Sequence, residues 1–326
     1  MTQKVRNIAV VILIPALLYA FFTILKPGSF GKVNTLYIIV TQSFITCTIA
    51  WGMHSLIGMG NFDLAIGAEM VLDSILAALL CDKIGFIGIP IGCIGGALAC
   101  GAIKSVLYRY LRIPTMILTI ALVYLFGAAG GIITNSKALT IPTQYTFLGR
   151  APGNIIIFVV VGLVIFALVN YNRYGAHVRA VSGSEAIAKV SGISIDRTMI
   201  LALMQSSFFA GIAAIIQLSH GSGVTPSIGL DSIQNIMEPI MSVFIGMVMA
   251  KYVNIVFSIF IGSIMMSIVS NGITALNWSS SIYNVVVGMI LIVIMAYMNV
   301  AEIVLKNRTE RISAAENMKT YSLTGK

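Results

Sequence analysis

Residues Tyr171–Arg197, YNRYGAHVRAVSGSEAIAKVSGISIDR, form the longest polar segment lying between two hydrophobic runs of this chain. The flanking runs are long enough to cross a bilayer, so this is the polar face that the protein offers between two crossings. Ser182 and Glu185 stand three apart, the spacing at which a hydroxyl and a carboxylate cap a helix start reciprocally, and Gly192 supplies a stop. The spacing predicts a short helix. Glu185 and Lys189 are set to pair at i,i+4, and Ile187 and Val190 fall on one side as a small apolar knob. Two readings stand at this point. The helix packs on its own bundle as an ordinary loop element, or the knob fits a socket on a partner.

Working outward, the composition decides the class. Of 326 residues, 58% are hydrophobic and only 10% charged, whereas about a quarter are charged in an ordinary soluble domain. The chain reads as an all-α polytopic membrane protein, a single transmembrane domain over 1–326. Apolar runs predict about ten spans at 8–25, 36–57, 64–81, 85–106, 114–134, 154–170, 198–219, 236–250, 253–270 and 281–299, each near the ~20 residues a bilayer needs. The first run lacks a small-residue cleavage site after it and is taken as a span, not a signal peptide.

The net charge of +9 is topological and does not point to nucleic acid. With the N-terminus inside, only Lys26, Lys32, Lys83, Lys137 and Arg150 fall outside, leaving fifteen of the 20 basic residues on the inner side, Lys104 among them. An even number of spans returns the tail, 306–326, to the cytoplasm. Anionic membrane lipid is a secondary attraction for the inner charges.

The second informative stretch is Gly58–Ala68, GMGNFDLAIGA. Glycines on either side of a lone aspartate within an apolar region predict a helix broken at membrane depth. Asp63 then either caps the new helix or belongs to a translocation path. Gly229-Leu230-Asp231 after Pro226 echoes this pattern and predicts two related halves, since paired broken helices point to a site near the midplane. Gly88, Gly92 and Gly96, at four-residue spacing, form a small-residue face for close helix packing.

The residue string NRYG-x-x-V-R-A-V followed by G-S-E-A-I-A-K-V-S-G-I resembles the cytoplasmic loop of the sugar-type permease subunits of bacterial ABC importers. Gly175, Ala180, Gly183, Glu185, Ala186, Lys189, Ser191, Gly192 and Ile193 match, while Ala176 and Ser184 stand where Arg and Asn are usual. The likeness continues at Asp63, Leu64, Gly67 and Ala68, with Asn61 in place of a usual glycine, and at RIPTMILT, Arg112–Thr119. It thins later. Gly127-Ala128 replaces an Arg-Gly pair, and FIGMVMAKYVN, Phe244–Asn254, replaces a glycine-rich segment, before Asn271-Gly272 recovers the pattern.

The resemblance implies a coupling loop over 171–197, with Gly183, Glu185, Ala186, Ile187, Lys189, Val190 and Gly192 docking on a separate ATPase subunit. It further implies an extracytoplasmic solute-binding protein, a permease homodimer or a pair of related permeases, and a bacterial inner membrane. The solute is a small polyhydroxylated molecule, a monosaccharide first, with nucleosides and other small metabolites next. The chain would not itself be an enzyme and would need no cofactor or metal. In keeping with this, Gly96–Ser105 is no phosphate loop, because Ala102 intervenes between Gly101 and Lys104. No C-x-x-C occurs among the four cysteines, and His54, His177 and His220 have no second ligand at metal spacing.

Glu69 and Asp73 lie four apart on one face of the third span, and Glu238 opens the eighth beside Pro239. No basic residue is near them in sequence, and carboxylates in mid-membrane need compensation. They are protonated and hydrogen-bonded, or paired with a base from elsewhere, or, with Asp63 and Asp231, they line the path. The last option also serves a different class of protein, an ion-coupled secondary transporter. The coupling loop separates the two classes, since a secondary carrier has no use for an ATPase-docking helix.

Overall fold

The computed structural model describes residues 3–279 except 222 and 228, together with 282–290, 292, 293 and 296. A first unit runs to Trp278 and a second begins at Ser279. In the second, 282–290 are helical. The rest of the expected tenth span and the whole of the 306–326 tail lie outside the described residues.

The first unit is helical almost throughout. Its long helices are α1 (Gln3–Leu25), α2 (Val33–Gly58), α3 (Ile66–Ile84), α4 (Gly88–Leu111), α5 (Thr115–Thr134), α6 (Gly153–Asn170), α9 (Ile195–Gly221), α10 (Gln234–Met249) and α11 (Ile255–Ala275). Between α6 and α9 stand two shorter ones, α7 (Arg173–Gly183) and α8 (Glu185–Val190). Among the described residues seven helical stretches are long and apolar enough to cross a membrane. One of them, Ile66–Leu111, comprises α3, a 3-10 turn and α4.

Burial ranks the helices. In its most apolar window α9 is 72% buried and α6 only 28%, so α9 is the central post and α6 a peripheral helix. Glycine lets α9 sit there. A Cβ on Gly52 of α2 would lie 2.8 Å from Phe209 Cβ, and one on Gly211 would lie 2.8 Å from the Cys93 carbonyl of α4. The Gly88/Gly92 face does the same for the α3–α4 hairpin: a Cβ at either position would lie 2.4 Å from backbone of α3, at Leu80 and Ala77 respectively. A stacked aromatic group of Phe44, Trp51 and Phe158 joins α2 to α6, and Trp51 Nε1 donates to the Val256 carbonyl of α11 at 3.0 Å. All four cysteines are buried and unpaired.

The α2–α3 connection, 59–65, is not helical. It runs from the end of the bundle that carries α8 back toward its interior. Polar side chains of neighbouring helices satisfy it: Thr115 Oγ1 donates to Asn61 Oδ1 at 2.8 Å, and the Leu64 amide donates to Thr119 Oγ1 at 3.2 Å. At the opposite end β1 (Leu139–Thr140) pairs antiparallel with β2 (Gly223–Val224), Leu139 facing Val224. From β2 the chain turns inward to a 3-10 helix, Gly229–Ile233, ahead of α10. The two interrupted stretches meet: a Cβ on Gly67 would lie 2.1 Å from the Ser232 carbonyl oxygen.

Candidate functional site

Two features carry chemistry, an exposed loop helix and a buried cluster of charge. The loop begins with Asn172, whose side chain accepts the Tyr174 amide at 3.1 Å and starts α7. Gly175 lets α7 lie on the end of α6, since a Cβ there would be 2.3 Å from the Val169 carbonyl oxygen. Arg179 Nη1 donates to that same carbonyl, and Val178 and Val181 are buried beneath. The loop is thereby fixed to the bundle.

The cap of α8 differs from the expected one. Helix α7 continues to Gly183, so Ser182 lies inside it and spends its hydroxyl on the Val178 carbonyl at 2.7 Å. Ser184, extended at φ −166°, both ends α7 and caps α8 by accepting the Ile187 amide. Glu185 stands in the first turn, where a carboxylate suits the helix dipole. The stop is at Gly192, φ +80°, with Ile193 N–H donating to the Ala188 carbonyl and Gly192 N–H to that of Lys189, the paired closure that a left-handed glycine permits. Ala188 alone in α8 is buried; Ile187 is 69% exposed and Val190 90%. Thus Gly183, Glu185, Ala186, Ile187, Lys189, Val190 and Gly192 share one protrusion with its apolar knob outward. Behind it, a cavity of about 530 Å³ is lined by His54, Ser55, Asn170, Tyr174, Arg179 and Ser182, among others.

The second feature lies inside the bundle. Lys104 Nζ is 2.6 Å from Asp63 Oδ2 and 2.6 Å from Glu69 Oε2, and all three side chains are fully buried. Ser206, near the midpoint of α9, donates to Asp63 Oδ2 at 2.7 Å, and the Ala65 amide donates to Asp63 Oδ1 at 3.1 Å. Asp63 is therefore not the N-cap of α3, a place taken by Ala65, which offers no side chain to the helix. It ties the broken segment to α4 and α9 instead. Asp73, one turn beyond Glu69, is also fully buried, with neither oxygen hydrogen-bonded, and lies against Gly96 of α4.

Lys104 corrects two expectations. The charge pattern counts it with the basic residues of the inner side, but α4 continues to Leu111 and carries it, fully buried, within the packed helix. It is also the base from elsewhere for Glu69, though not for Asp73, whose two oxygens have no hydrogen-bond partner. A signal for this was present: Lys104 falls within an apolar run, two residues short of its expected end at 106.

The five acids do not form one group. Asp63 and Glu69 meet at Lys104, and Asp73 adjoins them on α3. Asp231 is exposed in the 3-10 helix before α10, and Glu238, half-buried in α10, accepts from Thr46 Oγ1 at 3.4 Å. Among the described residues no group of three or more His, Cys, Asp or Glu side chains is arranged to hold a metal ion. Next to the junction of the broken segments lies a smaller cavity, about 180 Å³, between α3, α9 and the chain leading from β2.

Residues 35–295 match the sequence profile of the branched-chain amino acid transport system / permease component. The chain is similar to the ribose import permease protein of Escherichia coli K12, 25% identical over 300 residues covering 85% of this chain and 88% of the relative. It is similar to the D-allose transport system permease protein of the same strain, 24% identical over 296 residues, 86% and 88% of the two chains. The fructose import permease protein of Rhizobium meliloti is 24% identical over 238 residues, 68% of this chain and 66% of the relative. No solved structure matches the chain.

Proposed function

The chain belongs to the branched-chain amino acid transport system / permease component family, and from that premise we propose that it is the membrane subunit of an ATP-driven importer of a small polyhydroxylated solute, a monosaccharide first. ATP hydrolysis lies in a separate subunit. The observation that carries this reading is α8: a helix capped at both ends, anchored through α7 to the bundle, and turning Ile187 and Val190 to solvent at 69% and 90% exposure. Apolar side chains held rigidly outside an apolar medium are a docking element. On this reading 171–197 and both termini are cytoplasmic, α8 seats in the ATPase, and a solute-binding protein delivers at the β1–β2 end to a pair of permeases.

The buried cluster gives docking a way to act on the path. Helix α9 follows α8 after four residues, and its Ser206 holds Asp63 in the broken segment. A displacement of α8 would be carried along α9 to Asp63, Lys104 and the junction at Gly67. Asp63, Glu69 and Asp73 then brace the path from behind, while Asp231 and Glu238 stand nearer to it. The ion-coupled alternative, which would use Glu69, Asp73 and Glu238, loses ground here, since Glu69 is already held by Lys104.

The test is reconstitution in proteoliposomes with the ATPase and binding protein, measuring uptake of ribose, allose and fructose with and without ATP. ATP-dependent uptake of one of them is expected. Uptake driven by an ion gradient without ATP would overturn the reading.

A further inference from the structure

We propose that the cavity of about 180 Å³ beside the junction is a binding site for one neutral polyhydroxylated ring, taken up within the membrane subunit on its way through. The proposal rests on the importer reading and adds to it a place and a set of residues. The polar part of the lining comes from four stretches that the fold brings together: Ser74 of α3, Gln217 of α9, Thr225 and Ser227 after β2, and Asn235 of α10.

Three properties select the ligand. First, hydroxyl and carboxamide groups supply all the polar side chains of the lining, and none of the lining residues is charged. Such groups donate and accept alike, which suits an uncharged molecule bearing hydroxyls and leaves a phosphate or an ammonium without a counter-charge. Second, the groups are free to serve. Ser227 Oγ is buried without a partner, and a buried hydroxyl left so costs free energy that a ligand can recover. Ser74 spends its proton on the Met70 carbonyl at 2.8 Å and keeps its oxygen as an acceptor. Third, the volume is below the ~300–1,000 Å³ of sites for drug-sized ligands and holds about six waters at roughly 30 Å³ each, the scale of a single sugar ring. Met70, Val71, Leu218 and Val224 add an apolar wall for the ring's C–H face.

The location gives the site a way to empty. One of its walls is the chain from Gly223 to Ser227, paired at its start with β1 and followed by the contact of Ser232 with Gly67. Parting of that contact opens the cavity toward the other end of the bundle.

The experiment uses the full complex in nanodiscs. Thr225→Cys is labelled with a maleimide in the presence of ribose, allose, fructose or ribose 5-phosphate, with Gln144→Cys in the 135–152 loop as the control for general accessibility. Labelling of Thr225→Cys, and not of Gln144→Cys, is expected to slow at least threefold with whichever neutral sugar is transported and to be indifferent to the phosphate. Uptake by Thr225→Val and Asn235→Leu is expected to fall about tenfold per variant, the scale of one lost hydrogen bond, with ATPase co-purification unchanged. If wild type transports a sugar but labelling and uptake ignore these positions, the site is wrong and the importer reading stands. If wild type transports none of these sugars, the monosaccharide reading falls and the site falls with it.

Discussion

Lys104 Nζ stands 2.6 Å from Asp63 Oδ2 across 41 residues of sequence, joining the middle of the bundle to the stretch where its second helix gives way to its third. Both groups are fully buried. An ion pair in such a place adds little net stability over an apolar replacement, yet removing one partner strands the other. The pair therefore acts as a positional lock.

Lys104→Met is expected to destabilise the protein by roughly 3–5 kcal/mol, because Asp63 and Glu69 lose their counter-charge. Thermal melting of the detergent-purified protein measures it. Adding Asp63→Asn and Glu69→Gln to the same variant should recover a large part of the loss. A single variant that melts like wild type would show that the lock carries no stability.

Gly67→Ala tests the junction of the two broken segments. The new methyl would lie 2.1 Å from the Ser232 carbonyl oxygen, so backbone must shift. Overpacking of this kind costs about 1–3 kcal/mol. Transport should fall further than the yield of folded protein, because the displaced element adjoins the cavity proposed above as the sugar site. Equal transport per folded molecule would detach the junction from function.

Ile187→Asp and Glu185→Arg each alter the surface of α8 without touching Ser184, Ala188 or Gly192, so the helix still forms. Complex yield with the ATPase and solute-stimulated hydrolysis should both drop at least tenfold, a difference of about 1.4 kcal/mol in docking. Unchanged values for both would remove α8 from the docking surface.

Ser184→Ala removes the cap of α8 and should cost it about 1 kcal/mol, whereas Ser182→Ala, inside α7, should be close to neutral. Amide hydrogen exchange over 185–191 distinguishes them. Faster exchange in the Ser182 variant than in the Ser184 variant would reverse the assignment.

Asp73→Asn is expected to leave the order of preferred sugars unchanged. The side chain is sealed against Gly96 with no partner on either oxygen, so a neutral isostere relieves a cost and exposes nothing new to a solute. A changed order of uptake across ribose, allose and fructose would put Asp73 on the path.

The helices could be read from the sequence because long hydrocarbon runs have one use in a chain this apolar. The expected count of about ten crossings stands against seven stretches long and apolar enough to cross among the described residues. Nine of the ten expected runs correspond to α1–α6 and α9–α11, displaced by a few residues at their ends. The helix at Glu185 was legible because its stop, Gly192, is local. Its cap was not, since choosing between Ser182 and Ser184 depends on how far α7 runs, and no breaker precedes Gly183. The lock was hidden for a different reason. Which base meets Asp63 depends on how α4 is aligned along α3, and that alignment comes from Gly88 and Gly92 lying on the backbone of Leu80 and Ala77. Three-dimensional packing, not spacing along the chain, makes Lys104 their neighbour.

The two-residue ladder of Leu139–Thr140 with Gly223–Val224 is made of main chain alone. At Leu139, Thr140 and Val224 the side chain can change without cutting it, proline apart, whereas a Cβ on Gly223 would lie 3.0 Å from the Leu139 carbonyl oxygen. The side chains of the 135–152 loop are thus free to diverge among descendants of this sequence, each suiting a different docked protein, while the pull of that loop on the wall beside Thr225 is inherited intact. On the importer reading proposed above, recognition at this end can be rewritten without rebuilding the main-chain link beneath it.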